Sequence, residues 1–451
     1  MRQQLETALR DAIRAGRLRP ATLLPSSRDL ANQLGVSRGV VVDAYAALTA
    51  QGFLQARDRA VPVVASLPSW HSDAEDSAGN LPPDRPRFDF TATTPDVTLF
   101  DRRAWSRALE YVLHNMPNAA LDYPDPAGCP ELRHSLAEYL GRVRGVVASA
   151  RQVLVVGGFS QAVDLTFRVL AASGARRVAF EEPSHDEQWE AARRAGLELV
   201  PIPVDADGIR VSELARADPD VVVVTPAHQF PTGAVLASSR RRDLLSWATR
   251  RSALVIEDDY DSEFRYDRAP VGTLQGLDPA HVLYAGTTSK TLAPALRLGW
   301  MVVPPRLADS FASAKRYADA GSPTIDQLAL ARLLTTGNYE RAIHKAKTAY
   351  RRRRDTLLAA IAESLPDCQV EGIAAGLHVL LRLAVGADEE AAVTAAKQHS
   401  IALRPLSDFR LVPRQEPESA LLLGYGRVPE PVIEPAVREL ARAIHARVLP
   451  N

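Results

Sequence analysis

Between residues 151 and 290 the chain alternates between two hydrophobic patterns. Short β-branched runs, QVLVV, RRVAF, ELVPIPV, VVVVT, ALVIE and HVLYA, are separated by amphipathic stretches such as SQAVDLTFRVLA. Apolar runs this short, with helical-period segments between them, predict a mainly parallel sheet covered on both faces. A different pattern precedes it. In LPSSRDLANQLGVSRGVVVDAYAALTAQGFLQ, Leu30 and Leu34 share one face of a short helix, Arg28 to Leu34. Val41, Ala44, Tyr45 and Leu48 then fall at helical spacing on a second helix, Arg38 to about Ala50. Ser27 and Ser37 stand where N-caps belong, and Gly35 suits the turn between the helices. FLQARDRAVPVVA supplies a short two-stranded wing after Gly52. Two short helices joined at a glycine predict a helix-turn-helix.

The division follows from these patterns: a head over 1–66, a Pro-, Ser- and acid-rich linker over 67–87, and one large α/β unit over 88–451. The formal net charge is zero, so nothing attracts nucleic acid to the molecule as a whole. The head differs: through Ser66 it carries nine arginines, no lysine and five acids, a surplus of four positive charges. A basic head on a neutral chain is the footprint of a DNA-binding module, with Ser27, Arg28, Ser37 and Arg38 at the helix starts as candidate contacts. Cys129 and Cys368, the only cysteines, give neither a disulfide framework nor zinc spacing, and no metal is expected. No apolar run approaches a membrane span, so a cytoplasmic protein without a membrane partner is expected.

The polar residues of the large unit gather where strands end, which is where parallel sheets bind ligands. Gly157-Gly158-Phe159-Ser160 joins a strand to a helix and suits an anion. TPAHQFPTG places His228 at a strand end, IEDDYDSEF places Asp258 and Tyr260 there, and TTSKTLAPALRLGW places Thr287, Ser289, Lys290 and Arg297. Lysine is scarce, with five in the chain, which sharpens attention on Lys290. A desolvated lysine, an acid for a ring nitrogen and a set of phosphate donors together fit pyridoxal 5′-phosphate (PLP). In that reading Asp258 meets the ring nitrogen and Tyr260 the phenolic oxygen, while Gly158, Ser160, Thr287, Ser289 and Arg297 hold the phosphate.

LPSSRDLANQLGVSRG, LDYPDPAGCPELR, VTPAHQFPTG, IEDDYDSEFRY, AGTTSKTLAPALRLG and AGLHVLL occur in this order over nearly the whole chain. The sequence thereby resembles the MocR group of GntR-family regulators, which join a winged helix-turn-helix to a fold-type I aminotransferase-like domain with a smaller C-terminal subdomain. The resemblance implies Lys290 as the Schiff-base lysine, Asp258 and Tyr260 as ring partners, and Tyr123 as a phosphate ligand reached across a homodimer interface. It also implies a double-stranded DNA operator, with PLP, a small amine or an amino acid as effector. Some positions depart from the pattern. The wing reads RDRAVPVV rather than glycine-rich, Thr288 replaces a phenylalanine, and His185 stands where an aromatic is usual, which leaves two readings: His185 stacks on the ring in its place, or PLP is held less tightly. RAIHKAK stands where the group has RHLRRMR, and Met1 falls inside the first helix of the head, which places a start codon upstream among the expectations. Leu421 and Leu422 stand near where aminotransferases carry a carboxylate-binding arginine; Arg404 and Arg427 are the alternatives for that task, with a surface arginine as the first reading of each. A PLP-responsive regulator is therefore the first expectation. A working aminotransferase with a vestigial head is the alternative, and a scaffold without cofactor is a third.

Overall fold

The computed structural model describes residues 1–55, 61–65, 86–266, 271–413 and 418–445. It contains two compact units, Met1–Arg85 and Pro86–Asn451. Most of the expected linker and the tip of the wing lie outside the described residues.

In the first unit, α1 (Arg2–Arg14), α2 (Ser27–Leu34) and α3 (Arg38–Ala50) precede an antiparallel pair, β1 (Leu54–Gln55) and β2 (Val63–Val64). The helical stripe of α3 is its buried face: Val41, Ala44, Tyr45 and Leu48 all turn inward. Val41, Tyr45 and Leu48 pack with Ile13, Leu24, Ala31, Leu54 and Val64, and the Tyr45 hydroxyl donates to the Pro25 carbonyl at 3.0 Å. Gly35 closes α2 in the left-handed region, at φ 63°. The first helix differs from the expectation in two ways. Its cap is Ser26, whose Oγ accepts from the Asp29 amide, so Ser27 is the first helical residue rather than the cap. Ala31 fills the core, while Leu34, at the last turn, is half exposed. Ser37 does precede α3, but its side chain makes no capping bond. Ser26→Ala is thus expected to cost the head about 1 kcal/mol and Ser37→Ala much less. Thermal melts of the two variants check this.

The second unit is built on an eight-stranded sheet. The labels run in chain order: β3 (Phe88–Asp89), β4 (Val153–Val156), β5 (Arg177–Glu182), β6 (Glu198–Asp205), β7 (Gly208–Ile209), β8 (Val221–Val224), β9 (Leu254–Asp259), β10 (Val282–Thr287) and β11 (Gly299–Val302). The sheet order is β4-β11-β10-β9-β8-β5-β6-β7. The five strands from β10 to β6 are mutually parallel, and β11 and β7 run antiparallel to their neighbours. Both faces are covered. On β4, Leu154 and Val156 enter one apolar cluster with Phe167, Phe180 and Ile256, while Val153 and Val155 enter another with Tyr284 and Trp300. Alternation across a sheet buried on both sides explains why these strands read as unbroken apolar runs.

Four further strands, β12 (Gln369–Glu371), β13 (His378–Arg382), β15 (Arg404–Pro405) and β16 (Ala420–Gly424), form an antiparallel sheet beyond it, ordered β12-β13-β16-β15. β14 (Ile401–Ala402) pairs with β3. Among the described residues no helix is long and apolar enough to cross a membrane.

Candidate functional site

The carboxyl ends of β4, β5, β8, β9 and β10 meet around one cavity of about 480 Å³. Ser160, His185, Asp258, Tyr260, Thr287, Ser289, Lys290 and Arg297 all line it. Residues separated by up to 137 positions come together because parallel strands bring every strand end to the same edge.

Lys290 follows β10 in a turn. Burial lowers its pKa, against the pull of the Asp261, Asp258 and Glu187 carboxylates. An amine shifted in this direction keeps a larger neutral, nucleophilic fraction. Asp258 closes the far side. It is buried, its Oδ1 has no partner, and its Oδ2 is 3.5 Å from the Gln188 amide nitrogen. Burial, followed by the nearby charges of Asp259 and Asp261, holds its pKa well above the carboxylate range. Asp259 is already committed, to Arg144 at 2.9 Å and to the Tyr284 hydroxyl at 2.6 Å. Asp258 therefore remains the acid at the end of β9 that still seeks a cationic or donor partner.

Gly158 is not on the cavity wall but caps the helix whose Phe159 and Ser160 line it, and it sits at φ 109°, where side chains are strained. A Cβ there would lie 3.3 Å from an Arg297 guanidinium nitrogen. A Cβ on Gly299 would approach the Gly158 backbone to 2.9 Å, so these two glycines let β11 pack against the loop. Arg297 pairs with no carboxylate among the described residues. Ser160, in the first turn of the helix Phe159–Ala172, and the Thr287 and Ser289 hydroxyls, 2.9 Å apart, complete a donor-rich corner at a helix N-terminus. That is the chemistry of an anion site.

His185 stacks on Phe230, centroids 5.0 Å apart, and burial lowers its pKa. Its imidazole offers a flat, neutral face to the cavity. Thr288 does not enter: it is fully buried, and its hydroxyl donates to the Leu298 carbonyl at 2.9 Å. The replacement of phenylalanine there leaves the cavity wall untouched.

Two expected residues are placed elsewhere. His228 is not on the cavity wall. It lies behind Tyr260, its Nδ1 2.9 Å from Asp261 and 3.2 Å from the Tyr260 hydroxyl. It therefore positions the tyrosine. With Asp261 and His378 it brings three ligand atoms within 4.8 Å of one another, but a metal would have to break the His228–Asp261 bond. Tyr123 is 92% exposed and lines a separate surface hollow. Within one chain it does not reach the Lys290 cavity, because the loop bearing it faces outward. Arg404 is held by Asp186 and Asp408 and stacks on Phe409, and Arg427 is paired with Asp89. Neither lines the cavity, and Leu421 and Leu422 are core residues of β16.

Sequence reasoning missed Glu181, Glu187, Gln188 and Phe230, which also line the cavity. Their signal was position: each lies at or just beyond the carboxyl end of β5 or β8. In the head, Arg28 and Arg38 are exposed at the starts of α2 and α3, and the Arg38 Nε donates to the Ser27 Oγ at 3.4 Å.

A basic winged helix-turn-helix unit and an aminotransferase-like unit with a lysine-centred cavity define a two-part regulator class. Residues 1–62 match the bacterial regulatory proteins of the gntR family, and residues 96–428 match aminotransferase class I and II. The chain belongs to the MocR-type regulators, GntR-family proteins with an aminotransferase-like domain. It is 34% identical to the uncharacterized HTH-type transcriptional regulator YhdI of Bacillus subtilis, over 98% of this chain and 95% of that one. It is 32% identical to the probable rhizopine catabolism regulatory protein MocR of Rhizobium meliloti, over 99% and 94%. It is 31% identical to the pyridoxine biosynthesis regulator PdxR of Corynebacterium glutamicum, over 84% and 82%. Among solved structures it resembles an archaeal alanine:glyoxylate aminotransferase, with TM-score 0.73 and 27% identity over 80% of this chain and 91% of that one. It also resembles LysN, the α-aminoadipate aminotransferase of Thermus thermophilus complexed with N-(5'-phosphopyridoxyl)-L-leucine, with TM-score 0.72 and 26% identity over 80% and 92%.

Proposed function

We propose that this regulator binds PLP in the Lys290 cavity and alters its DNA binding when PLP, or an amine that reacts with it, is present. The observation that carries the reading is the unpartnered, buried Oδ1 of Asp258 in the same cavity as Lys290. LysN, similar in fold, is complexed with a phosphopyridoxyl compound, and its likeness supports the assignment. PLP supplies an aldehyde for an amine and a ring nitrogen that is cationic when protonated.

Each residue then has one task. Lys290 presents a neutral amine. Asp258 would hold a protonated ring nitrogen through its unpartnered Oδ1. Tyr260, fixed by His228, donates to the phenolic oxygen. Arg297, Ser160, Thr287, Ser289 and the Gly158 backbone hold the phosphate, and His185 covers a ring face. We place Tyr123 on the phosphate of a partner subunit, which makes the working form a homodimer, and we place the protein in the cytoplasm. Two heads would then read two half-sites of a duplex operator. An effector changes the output only by binding two states unequally.

Gel-shift assays of the full chain on its upstream DNA, with and without PLP, test the proposal. A PLP-dependent change in affinity or mobility supports it; sequence-specific binding indifferent to PLP removes it. Arg38→Ala is expected to weaken operator binding by about 1–3 kcal/mol, measured by fluorescence anisotropy, if it holds a base edge.

A further inference from the structure

Once PLP is assigned, the charges on the cavity wall do not balance. The acids there are Glu181, Glu187 and Asp258, and the basic side chains besides His185 are Lys290 and Arg297. Asp258 serves the ring nitrogen, Lys290 the aldehyde and Arg297 the phosphate. Glu181 is satisfied from within: its Oε2 accepts from the Thr225 amide at 3.1 Å and hydroxyl at 2.6 Å. Glu187 is left over. It opens the helix Glu187–Arg194, is exposed at the cavity mouth, and has no hydrogen-bond or ion-pair partner among the described residues. It lines the same cavity as Lys290 and His185.

Among the described residues Arg297, taken by the phosphate, is the one arginine on the cavity wall, so no guanidinium there is left to receive a carboxylate. Arg404 lies 2.8 Å from both Asp186 and Asp408, Arg410 lies 2.8 Å from Glu418, and Arg427 lies 2.7 Å from Asp89. We propose that the effector is an amine bearing a second cationic group, a diamine rather than an amino acid, and that Glu187 selects it. This rests on the cofactor reading above and adds the charge of the effector. Glu187 attracts the distal ammonium and repels a distal carboxylate, so it works both for one ligand and against the other.

The test uses full-length protein loaded with PLP and freed of excess. Three amines of equal chain length, putrescine, n-butylamine and γ-aminobutyrate, are titrated against its visible absorption band and its gel shift. Putrescine is expected to act at the lowest concentration and γ-aminobutyrate at the highest. Glu187→Gln should raise the putrescine concentration needed by about fivefold, the worth of an ion pair at the edge of solvent, and leave n-butylamine unchanged. Glu187→Arg should reverse the order of putrescine and γ-aminobutyrate. A coloured wild-type protein that prefers γ-aminobutyrate, or a Glu187→Gln variant that responds less to all three alike, overturns the selection by Glu187 and leaves the cofactor reading standing. A protein that takes up no PLP overturns both.

Discussion

Incubated with PLP, reduced with borohydride and weighed intact, the wild-type chain is expected to carry one phosphopyridoxyl group and the Lys290→Ala chain none. The expectation rests on the difference between Lys290 and the other lysines. Reaction with an aldehyde needs the neutral amine, and burial pushes Lys290 toward it. Lys315 is also buried, but its ammonium is bound by both oxygens of Asp319, at 2.7 and 2.8 Å, and by Ser322 at 3.0 Å. Lys345 and Lys397 are exposed and lie outside the cavity that would hold the cofactor. Lys290→Ala also leaves Arg297 and the donors around it in place, so PLP should still bind reversibly without the visible band. An equal mass gain in the variant would place the reactive amine elsewhere.

Asp258→Asn should weaken PLP binding about a hundredfold, close to 3 kcal/mol, because it removes the negative partner of a buried cation. Asparagine keeps the size of aspartate, so a loss through cavity formation is avoided. Asp259 cannot substitute, since Arg144 and Tyr284 already occupy both of its oxygens. Equilibrium dialysis measures the loss, and anisotropy on the same preparation measures DNA binding. PLP affinity should fall while DNA affinity without PLP stays at the wild-type value. A parallel fall in both would mean that the variant misfolds, and unchanged PLP affinity would mean that Asp258 does not face the ring nitrogen.

These two predictions concern residues whose place in the cavity was legible along the chain. The strands were legible because a sheet buried on both faces forces continuous apolar runs, and all six expected runs are strands of the large sheet. The recognition helix was legible because its Val41-Ala44-Tyr45-Leu48 stripe has one period and one buried face. Lys290, Asp258 and Tyr260 were legible because they stand at or just beyond the carboxyl ends of β9 and β10, where side chains of the right chemistry gather.

The sequence by itself determined the two-part plan, the order of the strands along the chain, the helix-turn-helix and the cavity's main polar residues, because periodicity and turn chemistry are local. Which acid is free, which arginine is spent and which serine caps a helix were decided only in three dimensions. Asp258 and Asp259 are adjacent and chemically identical, yet the pleat sends them to opposite faces, one into the cavity and one to Arg144. Ser26 and Ser27 differ only in which hydroxyl reaches the Asp29 amide. Glu187 became conspicuous only when folding tied Arg404, Arg410 and Arg427 to other carboxylates and left Arg297 to the anion corner. Pairing of this kind depends on distances between residues far apart in the chain, and no local pattern records them.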